Sequence, residues 1–124
     1  HELNLVAIEM IKTSPIFGVG LHNFLVRIPE FQKSIGGPLW LQPVHNIYLL
    51  ILVETGIVGF AALIWLLVKI YERINKQKFS IMNRDFIILS MVLFLGMFDH
   101  YFLTLQQGQL LLAITLGIAW TRRD

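Results

Sequence analysis

A long apolar run between Pro43 and Lys69 constrains the fold of this chain more than any other feature. The pair His45-Asn46 opens it, and its only acid is Glu54. A helix rises about 1.5 Å per residue and the hydrocarbon core of a bilayer is about 30 Å thick, so about twenty apolar residues span it. The run therefore predicts a membrane span with a polar histidine-asparagine pair at one end.

The composition supports this class of protein. The 124 residues are 56% hydrophobic and 15% charged, with a mean hydropathy of +0.67, which is high for a soluble domain. The net charge of +2 and the scattered groups of basic residues argue against a nucleic-acid partner. Because the chain has no cysteine, it cannot form disulfides, thiolate metal sites or cysteine nucleophiles. Because the first residue is His1, we expect a piece of a longer protein whose missing part lies upstream.

Residues 1–42 predict an extracytoplasmic loop segment with short amphipathic helices. Polar and apolar residues alternate over residues 2–12 in a way that suits a helix lying on a surface. Pro15 ends this helix, and Gly18 and Gly20 permit a tight turn after it. Trp40 is placed as an aromatic anchor at the membrane surface, after a loop at residues 36–38.

The distribution of basic residues predicts the topology. The stretch 70–85 is the most basic part of the chain, and the positive-inside rule makes it a cytoplasmic loop. The second apolar run, 86–105, then returns outward, and the third, about 108–121, ends at a basic cluster, Arg122-Arg123. We therefore expect an all-α, polytopic membrane protein fragment with about three transmembrane helices, at about 43–69, 86–105 and 108–121.

The acids at membrane depth need partners, because a charged group there is costly unless it faces protein or water. Glu54, Asp99 and the histidines His45 and His100 all fall in the outer half of the predicted bilayer, which indicates a polar chamber that opens outward. On a continuous helix, Glu54 lies opposite His45, so we expect Glu54 to pair with another helix instead.

Two glycines follow on the histidine's side of the predicted helix. Gly56 and Gly59 share the face of His45 on a regular helical wheel. Because glycine carries no side chain, we interpret this face as a surface for close helix packing.

Each candidate site residue has a structural and a functional interpretation. His45 either caps the loop or acts as a general base, since a neutral imidazole can accept a proton from a hydroxyl at neutral pH. Asn46 could orient it or bind a sugar hydroxyl. His22-Asn23 is a second such pair, which we interpret as structural. Asp99-His100 is either half of a relay or a pair of unrelated residues, because helical neighbours diverge by about 100°.

Metal and phosphate sites are weakly indicated. No H-x-x-x-H spacing exists, so a zinc site would have to be assembled from distant segments, and we expect none. Arg27 and Lys33, on the outer side, could hold a phosphate, although solvated surface charge is the better interpretation of both.

Three stretches together resemble a known family. They are SPIFGVGLHNF at 14–24, HNIYLLILVETGIVGF at 45–60 and FDHYFLTLQQGQLLLAITLG at 98–117. They are similar to the C-terminal part of the bacterial O-antigen ligase and O-antigen polymerase family. There a glycine-rich turn precedes a histidine-asparagine pair, nine residues and a glycine, which are here His45-Asn46 and Gly56.

The resemblance implies a membrane glycosyltransferase that needs no metal or other cofactor. Such an enzyme moves a glycan from a polyprenyl-diphosphate carrier to an acceptor hydroxyl on the outer face of the cytoplasmic membrane. His45 matches the family's candidate base, with Asn46 beside it. Arg27, Asp99 and His100 become candidate substrate-binding residues, although the family's diphosphate-binding arginines would lie largely upstream of this chain.

Two questions stay open at this point. The acceptor could be a lipid A core, a growing glycan or a protein, so ligase, polymerase and protein O-glycosyltransferase are not separated. A membrane transporter or non-catalytic subunit, with Glu54, Asp99 and His100 lining a polar path, is the alternative from another class.

Overall fold

The computed structural model describes residues 2–35, 41–76 and 84–121, and the regular elements in these ranges are helices. They are α1 Glu2–Thr13, α2 Phe24–Ile35, α3 Ile47–Lys76, α4 Arg84–Leu95, α5 Tyr101–Thr104 and α6 Gln106–Thr121. The prediction of an all-α fold is confirmed. The loop at 36–38, the anchor Trp40, most of the basic loop and the cluster Arg122-Arg123 lie outside the described residues.

Helix α3 contains the predicted first span. Among the described helices, its segment Ile47–Ile74 is long and apolar enough to cross a membrane, with a mean hydropathy of 2.3, and only 11% of its apolar window is buried within the chain. Burying apolar surface away from water is the main favourable term in folding, so a helix this exposed needs lipid or other apolar partners. The number of spans stays a prediction.

The second apolar run differs from the single helix that we predicted over 86–105. Helix α4 ends at Leu95, a turn follows, and the short α5 begins at Tyr101. The Gly96 carbonyl accepts a hydrogen bond of 2.8 Å from the amide of Ile47. A Cβ atom at Gly96 would meet the end of the Ile47 side chain, so the turn packs closely against the start of α3.

The third run also begins differently. The predicted spans 86–105 and 108–121 left the turn between them near residues 105–108, but α6 already starts at Gln106. Gly108 lies against the backbone of Tyr101 and Phe102, where a Cβ atom would meet main-chain atoms. The turn of the chain is thus displaced toward residues 96–100.

Helix α3 is broken at Gly56, which has φ 64° and ψ −166°. The loop that contains Gly18 lies against this break, and four backbone hydrogen bonds join the two segments. They run from Val19 N to Val53 O, from Gly20 N to Glu54 O, from Ile57 N to Pro15 O and from Val58 N to Ile16 O, at 2.9–3.2 Å. The helical wheel that placed Gly56 and Gly59 on the face of His45 assumed a regular helix, which the break at Gly56 contradicts.

Glycine is required on both sides of this junction. Gly18 and Gly56 both have positive φ, at 70° and 64°. A Cβ atom on Gly18 would collide with the backbone of Glu54, and one on Gly56 with the backbone of Ile16. The close approach at Gly56 is therefore to the loop, whereas the atoms nearest to a Cβ on Gly59 belong to Thr55 of the same helix.

Two apolar clusters hold the helices together. The first joins α1, α2 and the N-terminal half of α3, and the second joins the C-terminal half of α3 to α4 and α6. Their buried members are Leu3, Val6, Ala7, Met10, Val19, Phe24, Ile28, Val44, Leu50 and Val53 in the first, and Ile70, Ile74, Leu89 and Ala119 in the second. Near the second, Arg73 donates to the Trp120 carbonyl and stacks over its ring at 4.3 Å.

Candidate functional site

The pair His45-Asn46 lies immediately before α3, and the asparagine fixes how the helix begins. Asn46 Oδ1 accepts hydrogen bonds from the amides of Tyr48 and Leu49, at 2.9 and 3.0 Å, which is the geometry of an N-cap. Its Nδ2 donates to the Met97 carbonyl at 3.1 Å. The Asn46 amide thus caps α3 and binds it to the turn after α4, which places His45 relative to that turn.

Two further hydrogen bonds join the start of α3 to α4 and its following turn. The amide of Ile47 donates to the Gly96 carbonyl at 2.8 Å, and the Tyr48 hydroxyl donates to the Leu93 carbonyl at 2.8 Å. With the bond from Asn46, they hold the turn at residues 96–100 against the first turn of α3. The distant residues Asp99 and His100 are thereby brought beside His45.

His45, Asp99 and His100 form one group, which we call the His45 cluster. His45 Nδ1 lies 3.8 Å from Asp99 Oδ1, and the two imidazole centroids are 5.1 Å apart. The His45 side chain is 51% exposed and that of Asp99 35%, whereas His100 is 8% exposed. A reachable imidazole thus stands against a half-buried carboxylate and a buried second imidazole.

The buried histidine is oriented by Thr104. The Thr104 hydroxyl donates to the His100 carbonyl at 3.2 Å and lies 2.7 Å from His100 Nδ1. The donor and the acceptor in this contact depend on the tautomer of the ring. In the tautomer that carries the proton on Nδ1, the hydroxyl oxygen accepts that proton and Nε2 keeps its lone pair. Asp99 Oδ1 accepts a bond of 2.7 Å from the His100 amide, which fixes the carboxylate in turn.

A cavity of about 200 Å³ is lined in part by Thr104, the residue that contacts His100 of the cluster. Its lining is largely apolar and includes one acid: His22, Phe24, Leu25, Pro43, Leu50, Glu54, Leu103 and Thr104. Glu54 Oε1 accepts a long hydrogen bond, 3.4 Å, from the Phe24 amide. Glu54 therefore faces the α2 side of the fold, in line with the prediction that it does not orient His45.

The other candidates from the sequence lie elsewhere. Arg27 is on α2, where its Nε donates to Glu30 Oε2 at 2.8 Å and its guanidinium lies 5.7 Å from the Phe31 centroid. His22 has a positive φ of 58°, and Asn23 Nδ2 donates to the Val19 carbonyl at 3.1 Å. The second histidine-asparagine pair thus shapes the turn before α2.

The sequence identified every member of the His45 cluster, but it did not predict their contact. We treated Asp99 and His100 as neighbours on a regular helix, and the turn at 96–100 removes that constraint. We also expected no metal site, because the sequence has no local ligand spacing and such a site would have to be assembled from distant segments. Gly96 was the available signal, since a glycine followed by Asp99-His100 permits a turn inside an apolar run.

Comparison with known proteins identifies one family. The sequence profile of a family described as O-antigen ligase matches residues 3–64, which is half of the chain. The matched part includes the glycine junction between Gly18 and Gly56 and the pair His45-Asn46. No curated protein and no solved structure matches the chain.

Proposed function

The chain belongs to the O-antigen ligase family, and on this basis we propose a catalytic function for it. It is a membrane protein of polysaccharide biosynthesis that acts on lipid-linked glycans and their acceptors in the ligase or polymerase manner. In the proposed reaction, a glycan passes from a polyprenyl-diphosphate carrier to an acceptor hydroxyl, on the outer face of the cytoplasmic membrane.

The proposed chemistry is a displacement at the anomeric carbon of the glycan. His45 accepts the proton of the acceptor hydroxyl while the acceptor oxygen forms its bond to that carbon. The bond from the carbon to the diphosphate oxygen breaks, and the diphosphate leaves with the electron pair. The products are the glycosylated acceptor, the polyprenyl diphosphate and an imidazolium, which returns its proton to water.

The His45 cluster is the main observation that supports this reaction. An imidazole that is 51% exposed can reach a substrate, and a carboxylate 3.8 Å away stabilises the imidazolium that forms when the base is protonated. Asn46 contributes as a positioning residue, because its side chain is engaged with the backbone of α3 and of Met97. We therefore propose that Asp99 stabilises the imidazolium that forms on His45, and that His45 alone exchanges a proton with substrate.

The proposed side of the membrane follows from charge. Lys69, Arg73 and Lys76 lie in the C-terminal part of α3, while His45 precedes its N-terminus. The positive-inside rule places the basic end in the cytoplasm, so the cluster lies at the outer side of a multi-pass protein. Lipid-linked donors that have been moved across the inner membrane would reach it there.

The chemistry of the cluster fits several acceptors. A lipid A core, a growing glycan and a protein side chain each present a hydroxyl, and the proposed base treats them alike. Groups that bind the acceptor therefore decide whether the protein is a ligase, a polymerase or a protein glycosyltransferase. Arg27, held by Glu30, is not proposed to bind the diphosphate.

A transporter is the second candidate, and one observation favours it. Glu54 and Thr104 line the same cavity, and Thr104 contacts His100, so a polar route could run from Glu54 to the cluster. In that case Glu54→Gln would abolish movement of substrate across the membrane, and no lipid-linked glycan would be consumed.

The deciding experiment uses the purified protein in proteoliposomes with a polyprenyl-diphosphate-linked glycan and its acceptor. We expect loss of the lipid-linked donor and equal gain of glycosylated acceptor, unchanged by excess EDTA, because one base and a charged leaving group suffice. Loss of activity in EDTA that a divalent cation restores would contradict metal independence. Translocation of an intact donor without transfer would establish the transporter instead.

A further inference from the structure

The His45 cluster has a second property, which does not depend on a sugar substrate. His45, Asp99 and His100 each offer one ligand atom, and these three atoms lie within 4.8 Å of one another. We propose that the cluster binds a Zn²⁺ ion and that the bound ion inhibits the protein. The binding half stands on the geometry alone, whereas the inhibition half rests on the proposed function.

The donor set suits zinc. Two imidazole nitrogens and one carboxylate oxygen are donors that Zn²⁺ takes in proteins, whereas Mg²⁺ and Ca²⁺ prefer oxygen donors only. Three protein ligands leave one tetrahedral position open for water. A hard divalent cation is therefore not the expected occupant, and zinc is.

The distances are close to those a zinc ion requires. Bonds of about 2.0–2.2 Å in a tetrahedron separate ligand atoms by roughly 3.4 Å. His45 Nδ1 and Asp99 Oδ1 are already 3.8 Å apart, and the widest pair in the cluster is within 4.8 Å. His45 is half exposed, so its ring can rotate to close the remaining gap without disturbing the core.

The buried ligand is also prepared for a metal. In the tautomer that carries the proton on Nδ1, His100 donates to the Thr104 hydroxyl, 2.7 Å away, and keeps a lone pair on Nε2 for a metal ion. A ligating histidine usually donates its other ring N–H to an oxygen acceptor, which fixes the tautomer and the ring orientation. Thr104 supplies that acceptor here. The hydrogen bonds from the Ile47 backbone amide and the Asn46 side chain to the turn hold the two halves of the site together.

Inhibition follows from the identity of the ligands. A neutral imidazole has one nitrogen lone pair, which binds either a proton or a metal ion, so a zinc-bound His45 is not a base whichever nitrogen holds the ion. Asp99 would likewise be occupied by the ion instead of stabilising an imidazolium. Zinc and the proton of the acceptor hydroxyl therefore compete for the imidazole of His45.

The binding test uses Zn²⁺ in titration calorimetry, and Co²⁺ as a spectroscopic probe, on the purified protein without any glycan. We expect one ion per chain, with tetrahedral cobalt absorption bands. Asp99→Asn and His45→Gln should each weaken zinc binding at least tenfold, because each removes one of three ligands. His22→Asn is the matched control, since His22 lies outside the cluster and asparagine tolerates its positive φ.

Equal zinc affinity in Asp99→Asn, His45→Gln and the parent protein would overturn the site. These two variants change exposed or half-exposed side chains, so they keep the test valid even if a change at the buried His100 prevents folding. Inhibition is measured separately, by transfer in proteoliposomes at zinc concentrations around the measured Kd, with reversal by EDTA. Full transfer with the site occupied would overturn inhibition while leaving the binding result intact.

Discussion

Replacing His45 by alanine is expected to lower the rate of glycan transfer by about 10²–10⁴-fold, the usual contribution of a general base. The acceptor hydroxyl then has no group to take its proton as its oxygen attacks. Because the His45 side chain is 51% exposed, its removal leaves little cavity, and the protein should still insert and fold. The measurement is the initial rate of acceptor glycosylation in proteoliposomes.

The control for this variant is His22→Asn, which alters the other described histidine outside the cluster and should retain transfer. Thermal unfolding in detergent should give the same midpoint for His45→Ala as for the parent protein. A His45→Ala variant that is folded and transfers glycan at the parental rate would refute the assignment of the base.

Replacing Gly56 by alanine is expected to lower the free energy of unfolding by about 3 kcal/mol or more. An L-residue in the left-handed region costs about 1–2 kcal/mol, and a net backbone hydrogen bond is worth about 0.5–1.5 kcal/mol. The new methyl group would collide with the backbone of Ile16 and force the loop away from α3, which breaks bonds at the junction. Denaturant unfolding of the protein in detergent measures the change.

Gly117→Ala is the matched control, because a Cβ atom at Gly117 meets nothing within 4 Å and the residue lies inside α6. Alanine in a helix interior is more favourable than glycine by roughly 0.5–1 kcal/mol, so this variant should be as stable as the parent or slightly more stable. Equal stability of Gly56→Ala and Gly117→Ala would show that the junction does not hold the loop to α3.

Much of the fold is readable from the sequence, because hydrophobic runs report local helix and membrane preferences. The long apolar run predicted α3, and the amphipathic pattern of residues 2–12 predicted α1 nearly to its end. The sequence did not predict where the helices are interrupted. A positive φ at Gly56 and a turn at Gly96 are set by contacts with residues far along the chain, Ile16 and Ile47, which no local pattern encodes.

The same reason limits prediction of the site. His45, Asp99 and His100 were each identified, because polar groups in apolar runs are costly and need a purpose. Their contact depends on the turn at 96–100 and on the bonds of Asn46 and Ile47 to it. The sequence placed the three residues at the same membrane depth, in one polar chamber, but a helical wheel treats each run as regular and so could not predict their contact.

The central claim is that His45 and Asp99 act as one unit, and a double-mutant cycle of transfer rates tests it most directly. The rates of His45→Ala, Asp99→Asn and the double variant are compared with that of the parent protein. Groups that act together lose their effect together, so the double variant should be no slower than His45→Ala alone. A double variant slowed by the product of the two single effects would show independent residues and contradict the account.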